Sequence, residues 1–371
     1  MKRISIVFGT RPEIIKLAEL MVLAKEKLGG NARIIHTGQH YSFELSSSFI
    51  EELGLPQIDR NLEVGSMGSA KQLAETIERL DEELEEFRPE IVLAEGDTNS
   101  VLAAAIAANK NGIPFGHIEA GLRSFDRSMP EELNRIAADQ FADYCFAPTK
   151  TAQKNLLDSA VARERIFLTG NTIVEAVERN LGIAEKKSKA LDEFGLEKEG
   201  FVFFTAHRAE IVDKKERLAG LLEGLKGVMQ PVLWPMHPRT EKNIESFGLG
   251  KKLGEINDLV VTKPLSYFDC LKLCASSKFI VSDSGGLQEE ASIYKKPILV
   301  TRENTERPEI IGSFGTLVGW NAKKIASESR KINQGYGKLK RKLAATKTPF
   351  GDGKASQRIL KISLGEKIGR F

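Results

Sequence analysis

Ile4-Ser5-Ile6-Val7-Phe8-Gly9-Thr10-Arg11-Pro12-Glu13 is the stretch whose reading decides the fold. Ile4 to Phe8 is a short run of strand type, Gly9-Thr10-Arg11 turns the chain, and from Pro12 to about Lys27 the apolar residues recur at helical spacing. Pro12 suits a first helical turn, where no backbone N–H is needed. The alternation repeats downstream. Arg33 to Thr37, Ile91 to Ala94, Ile113 to His117, Tyr144 to Ala147 and Ile166 to Thr169 are further apolar runs, most of them separated by helical segments. Parallel strands joined by crossover helices make a right-handed, doubly wound sheet, so the fold class is α/β.

After Gly170, Thr172-Ile173-Val174-Glu175 has capping-box spacing and opens a helix, and a charged stretch from Glu185 to Glu199 leads into a second series of runs. These are Phe201 to Thr205, Val232 to Pro235, Leu259 to Thr262, Phe279 to Ser282, Ile298 to Thr301 and Thr316 to Val318. A chain of 371 residues has room for two domains. The expected boundaries are 1–170 and 171–350, each a Rossmann-like sheet, with 351–371 a C-terminal helix. Tandem sheets imply a cleft, and their ligands sit at the carboxyl ends of the strands.

Composition narrows the class of function. With 41% hydrophobic and 28% charged residues, and 32 Gly against 13 Pro, the chain can bury a core and is neither fibrous nor disordered. Its 54 basic and 51 acidic residues interleave, so no large field draws in nucleic acid. Cys145, Cys270 and Cys274 make neither a disulfide framework nor a zinc site, which fits a reducing compartment. The first residues are too short for a signal-peptide core, and no run of about 18 apolar residues occurs, so a cytoplasmic protein without a membrane partner is expected.

The residues following each run carry the chemistry: Gly9-Thr10-Arg11, Gly38-Gln39-His40, Glu95-Gly96-Asp97-Thr98, His117-Ile118-Glu119, Ala206-His207-Arg208, His237-Pro238-Arg239 and Asp283-Ser284-Gly285-Gly286. All five histidines, His36, His40, His117, His207 and His237, lie at or just past a run, which points to one cleft; as a lone residue any of them reads more often as structural. Ser284-Gly285-Gly286, between a run and a helix, offers backbone N–H groups to phosphate, or is a tight turn that needs glycine torsions. Glu290, one turn on, can accept the hydroxyls of a ribose or lie exposed on its helix. Arg11, Lys16 and Arg307 are the cations for a pyrophosphate, or surface ion-pair partners. Asp97, Glu119 and Glu131 stand apart from the helical surface acids as acid/base candidates, against the alternatives that Glu131 favours its helix dipole and Asp97 organises a turn. G-x-G-x-x-G after a strand and G-x-x-x-x-G-K-[ST] are missing, as are H-E-x-x-H and clustered D-x-D, so neither a dinucleotide cofactor nor a metal is expected.

Gly9-Thr10-Arg11-Pro12-Glu13, Gly96-Asp97-Thr98, His117-Ile118-Glu119-Ala120-Gly121-Leu122-Arg123, Pro130-Glu131-Glu132, His207-Arg208, Asp283-Ser284-Gly285-Gly286-Leu287-Gln288-Glu289-Glu290 and Thr305-Glu306-Arg307-Pro308-Glu309 together resemble the non-hydrolysing UDP-N-acetylglucosamine 2-epimerases, in the same order from residue 4 to about residue 360. The resemblance implies two Rossmann-like domains of the GT-B type with the active-site cleft between them, the last helix returning to the first domain, and a homodimer. It implies reversible conversion of UDP-N-acetylglucosamine to UDP-N-acetylmannosamine by elimination of UDP to 2-acetamidoglucal and re-addition, without a cofactor, as a supply of precursors for surface polysaccharide. By position it makes Asp97, Glu119 and Glu131 the catalytic acids and His207 the group that steadies the departing diphosphate. Arg11 and Lys16 fall at the cleft, and Ser284, Gly285, Gly286, Glu290 and Arg307 hold UDP, with Glu290 on the ribose. A second, activating UDP-N-acetylglucosamine would use Gln39, His40, Arg208 and His237, although Pro238-Arg239-Thr240 departs from the usual continuation. Cys270 stands where many members have an aromatic residue near uracil, with Tyr267 and Phe268 as neighbours able to substitute. Pro12-Glu13 favours the non-hydrolysing branch over the branch that releases free N-acetylmannosamine and UDP. A GT-B glycosyltransferase and a nucleotide-sugar sensor are the remaining readings.

Overall fold

The apolar runs become strands of two parallel sheets in a computed structural model that describes residues 2–39 and 49–366. The first sheet holds β1 (Ile4–Phe8), β2 (Ala32–His36), β3 (Arg60–Asn61), β4 (Ile91–Glu95), β5 (Phe115–Ile118), β6 (Tyr144–Ala147) and β7 (Ile166–Leu168). The second holds β8 (Val202–Thr205), β9 (Val232–Pro235), β10 (Leu259–Thr262), β11 (Phe279–Ser282), β12 (Ile298–Val300) and β13 (Gly315–Leu317). Their orders, β3-β2-β1-β4-β5-β6-β7 and β10-β9-β8-β11-β12-β13, are both the doubly wound pattern, which reverses direction beside the first strand of each set. Ligand crevices therefore open past β1 and β4 in one sheet and past β8 and β11 in the other.

The two sheets belong to two compact units, Met1–Ala176 with Phe350–Phe371, and Val177–Pro349. The helix Ala355–Ser363 packs on the helix Arg11–Leu28 of the first unit, and Asn171 N–H donates to Phe350 O at 2.8 Å. Both faces of each sheet are covered, so the central strands are continuously apolar and buried. In the first core the helix Asn99–Lys110 buries Ala103, Ala104, Ala105, Ala107 and Ala108, side chains small enough to let the helix Ser69–Phe87 lie close against it. The second core is built around Trp234, whose ring meets Phe204 edge-on at 4.6 Å.

One strand escaped the sequence reading and two local readings are corrected. β3 is too short to announce itself, and its pairing with β2 defines it instead. The fifth strand starts at Phe115 rather than Ile113, since Pro114 has no N–H to give the ladder. The expected capping box at Thr172 and Glu175 is not made: Thr172 Oγ1 has no hydrogen-bond partner, and the Glu175 carboxylate instead accepts the Ser356 N–H at 2.9 Å. The box forms on the helix Arg11–Leu28, where Glu13 Oε2 accepts the Gly9 and Thr10 N–H groups, each at 2.7 Å. Among the described residues no helix is long and apolar enough to cross a membrane.

Gly121 shows how tightly the turn after β5 is set. Its φ is +85°, and a Cβ there would lie 2.3 Å from the Ala152 carbonyl oxygen. Gly121→Ala is expected to lower unfolding free energy by roughly 2–4 kcal/mol, measured by urea denaturation, from torsional strain and backbone displacement together.

Candidate functional site

In the first unit, four ionisable side chains converge past β1, β4 and β5. Glu95 ends β4 with 2% of its side chain exposed, and Glu119 follows β5 with φ +70°, a left-handed conformation that a non-glycine residue adopts only when its surroundings hold it. Lys16 Nζ lies 2.6 Å from Glu119 Oε1 and 3.0 Å from Glu95 Oε1, and Asn171 Nδ2 donates to the same Glu119 oxygen at 2.8 Å. Glu13 Oε1 accepts the Thr98 hydroxyl at 2.6 Å. Burial pushes the Glu13 carboxyl above its ordinary range, against the hydrogen bonds from Thr98, Gly9 and Thr10. Burial pushes Glu95 well above it, opposed by Lys16 and reinforced by the charges of Glu119 and Glu13.

Asp97, next along, is ion-paired to Arg135, whose other arm holds Glu132 Oε2 at 3.0 Å. Glu132 rather than Glu131 is the buried member of the acidic pair, and it accepts the Ser124 and Phe125 N–H groups at 2.9 and 3.0 Å. Glu131 is exposed in the first turn of the helix Pro130–Phe141, where its charge suits the helix dipole. Arg11 is exposed, with its guanidinium 4.4 Å from the Phe49 ring centre. Gln39 is buried, its amide oxygen accepting the Ser100 hydroxyl and its carbonyl accepting Gln72 Nε2 at 2.9 Å. His40 lies outside the described residues.

In the second unit the site is built on two buried acids, Asp283 and Glu306, met by a histidine and by three arginines respectively. Asp283 follows β11 fully buried, and its Oδ2 accepts the backbone N–H groups of His207 and Arg208, both at 2.8 Å. Its Oδ1 lies 3.0 Å from His207 Nδ1. Burial alone would raise the Asp283 carboxyl, but the His207 side chain and these N–H groups outweigh it and hold it below its ordinary range. The imidazole is thereby oriented, with Nε2 turned away from the acid and 44% of its side chain exposed. Beside it, Glu306 is buried among Arg302, Arg307 and Arg208, at 2.6, 3.2 and 3.3 Å. Burial opposes ionisation of Glu306 and those three guanidinium groups overcome it, leaving the carboxyl far below the usual range. Arg307 Nε also donates to Glu289 at 2.8 Å.

Ser284 is the N-cap of the helix Gly285–Tyr294, its hydroxyl accepting the Leu287 N–H at 3.4 Å. Gly285 and Gly286 have no positive φ, so the glycine-torsion reading of this turn is overturned. At Gly285 the requirement is room: a Cβ would lie 2.7 Å from Arg307 Nη1 and 3.5 Å from Arg208 Nη2. Glu290, one turn on, accepts the Tyr294 hydroxyl at 2.9 Å. His237 caps the helix Pro238–Ser246, with Nδ1 accepting Arg239 N–H at 3.1 Å and its ring 6.4 Å from that of His207. Phe268 is buried in its unit and cannot stack on a base, while Tyr267 is partly exposed.

The expectation that all the histidines mark one cleft is corrected. His117 is buried, with Nδ1 2.7 Å from Asp139 and Nε2 2.8 Å from Gly96 O, and clips β5 to the turn after β4. His36 is buried too, and burial lowers its pKa. Only His207 and His237 of the described four reach solvent. Sequence reading passed over Glu13, Glu95, Asn171, Asp283 and Glu306 as site residues. Asp283 and Glu306 stood inside recognisable motifs, and Glu95 at the end of an apolar run was a visible anomaly; Asn171 carried no signal. Among the described residues no group of three His, Cys, Asp or Glu side chains is arranged to hold a metal ion.

Comparison with known proteins bears on the chain as a whole. Residues 24–364 match the family model for UDP-N-acetylglucosamine 2-epimerase. The UDP-N-acetylglucosamine 2-epimerase of Methanocaldococcus jannaschii is 40% identical over 366 residues, 97% of this chain and 98% of that protein. A UDP-2,3-diacetamido-2,3-dideoxy-D-glucuronate 2-epimerase of Pseudomonas aeruginosa is 34% identical over 363 residues, 96% of this chain and 98% of that one. The crystal structure of the M. jannaschii enzyme with UDP-GlcNAc and UDP superposes with a TM-score of 0.84, covering 98% of this chain and 99% of that one at 40% identity. The two parallel sheets with their flanking helices are the GT-B fold of these structural neighbours.

Glu306→Gln removes the charge on which three guanidinium groups converge. At neutral pH it is expected to cost about 3–5 kcal/mol in urea unfolding. Because the folded carboxyl is more acidic than the unfolded one, the wild-type advantage is full above the unfolded value near 4.5 and declines as pH falls below it, so the two proteins converge in acid.

Proposed function

The chain belongs to the UDP-N-acetylglucosamine 2-epimerase family, and from that footing we propose that it is a non-hydrolysing epimerase interconverting UDP-N-acetylglucosamine and UDP-N-acetylmannosamine. The observation that carries the reading is the cradle at Gly285, where the missing side chain leaves Arg307 and Arg208 beside the start of the helix Gly285–Tyr294. Forked cations and free N–H groups at one helix start suit a diphosphate. The M. jannaschii relative is known with UDP-GlcNAc and UDP bound, which supports the same ligand class here.

The reaction divides between two sets of side chains. In the second unit Ser284, Gly285, Gly286 and Arg307 receive the diphosphate, Glu290 receives the ribose, and His207, steadied by Asp283, stabilises charge as UDP departs. In the first unit Asp97, Glu119 and Glu131 exchange the C2 proton, with Lys16 beside Glu119, Arg135 beside Asp97, and Arg11 at the start of the helix that carries Lys16. The C2–H and C1–O bonds break, C1=C2 forms, and 2-acetamidoglucal and UDP result; UDP then returns with the proton delivered to the other face. Inversion needs proton donors and acceptors on both faces of the ring, which is why more than one acid is required. Elimination and re-addition move only a proton and UDP, with no hydride transfer at any step, so this path calls for no redox cofactor.

A second UDP-N-acetylglucosamine acting through Gln39, His40, Arg208 and His237 would activate the enzyme, giving sigmoidal rates with UDP-N-acetylglucosamine and almost no reverse turnover from UDP-N-acetylmannosamine alone. Hyperbolic kinetics in both directions would remove that part of the proposal.

Proton NMR in deuterated water tests the main reading. UDP-N-acetylmannosamine with deuterium at C2 is the expected product. Free N-acetylmannosamine with UDP would indicate the hydrolysing branch, and turnover of only the diacetamido-glucuronate substrate would move the specificity to that of the Pseudomonas relative. Asp97→Asn, Glu119→Gln and Glu131→Gln should each lower kcat by roughly 100-fold or more with unchanged circular dichroism; near-wild-type rates in all three would defeat the acid assignments.

A further inference from the structure

Glu95 has no role in the chemistry set out above, yet with Glu13 it is the most deeply buried acid of the first unit's cluster. It faces Lys16 and Glu13 from the helix Arg11–Leu28 and Glu119 from the turn after β5. Among the described residues two neighbouring ionisable groups are already matched. Asp97 is paired with Arg135, and the nitrogens of His117 are taken by Asp139 and the Gly96 carbonyl.

Charge counting then becomes decisive. Among the described residues Glu95 feels the charges of two other carboxyl groups, Glu119 and Glu13, and of the Lys16 ammonium that it shares with Glu119, and a buried charge without an opposite partner costs several kcal/mol. Glu13 is served by four donors: the Gly9 and Thr10 N–H groups and the Thr10 and Thr98 hydroxyls. Glu119 has the shorter contact with Lys16 and the Asn171 amide besides. Glu95 is left with the longer contact to the shared ammonium, at 3.0 Å. Of the three carboxyl groups it is the one most cheaply kept neutral.

We propose that Glu95 is a positioning residue for Glu119: it holds a proton beneath Lys16, leaving the ammonium to Glu119, whose carboxylate stays ionised and aimed for proton transfer. This rests on the epimerase reading. The direction in which burial moves the Glu95 carboxyl agrees with it. When rising pH strips the Glu95 proton, Lys16 is divided between two anions and Glu119 acquires a negative neighbour. Proton exchange at C2 then slows, while the contacts that bind UDP, which lie on other residues, are untouched.

The test is the pH profile of kcat with UDP-N-acetylglucosamine for the wild type, E95Q and E95D. The wild type should show an alkaline limb in which kcat falls by roughly tenfold, absent in E95Q and restored in E95D, with KM constant within about twofold. A merely structural role for Glu95 would lower activity or stability without moving the limb. Superimposable limbs in the wild type and E95Q overturn the proposal. A second readout needs no turnover: the infrared band of a protonated carboxyl at neutral pH should be present in the wild type and missing from E95Q. Its absence from the wild type would also overturn the inference, and if E95Q does not fold, E95D serves instead, an unshifted band in that variant overturning the assignment to Glu95. Failure of the wild type to epimerise, with the band present and lost in E95Q, would reject the functional reading and leave the proton on Glu95 established.

Discussion

A charge taken out of water has to be met by an opposite charge or by donors, and that requirement shapes both halves of this chain at the carboxyl ends of their strands. In the first unit a single ammonium, Lys16, holds two carboxyl groups from neighbouring strand ends, Glu95 and Glu119. In the second the arrangement is reversed: one carboxylate, Glu306, gathers three guanidinium groups. The first set is thus a cluster of acids sharing one ammonium, and the second a set of buried acids each met by donors or guanidinium groups. The proposed reaction, which removes a proton while expelling a diphosphate, would draw on acids from the first and cations from the second.

The backbone serves this electrostatics. Glu119 accepts a left-handed φ of +70° because Lys16 and Asn171 hold its side chain. Asp283 spends one oxygen on the His207 and Arg208 N–H groups and the other on the His207 ring, fixing the loop and its imidazole together. Gly285 contributes by absence, since any side chain would displace Arg307 from the helix start. The Asp283 and Gly285 devices lie where the second sheet reverses its strand order, past β8 and β11, the place at which loops diverge and leave room for a ligand; Glu119 lies past β5, one strand from the reversal in the first sheet.

Much of the fold was legible because strand and helix differ in period and both sheets are buried on two faces. Unbroken apolar runs such as Ile4 to Phe8 and Phe279 to Ser282, each closed by a turn, mark the central strands of such sheets. Edges were less legible: β3 has two residues and exists through its partner, and Pro114 moved the start of β5. Capping residues misled for a related reason, since Glu175 had a better partner in Ser356, far off in sequence, than in its own helix end. The histidines looked alike in sequence because all lie at or just past an apolar run; burial then separated His36 and His117 from His207 and His237.

By itself the sequence determined the α/β class, the two series of parallel strands and the residues that emerge at their carboxyl ends, since these follow from local periodicity and from the one-dimensional order of strand, turn and helix. Only the tertiary structure decided which of those residues are neutralised and by what: that Glu132 rather than Glu131 is buried, that Asp97 belongs to Arg135, and that Lys16 stands between Glu95 and Glu119. The physical reason is that charge pairing and desolvation depend on distances between atoms remote along the chain, Lys16 and Glu119 being 103 residues apart, and no local pattern encodes those distances.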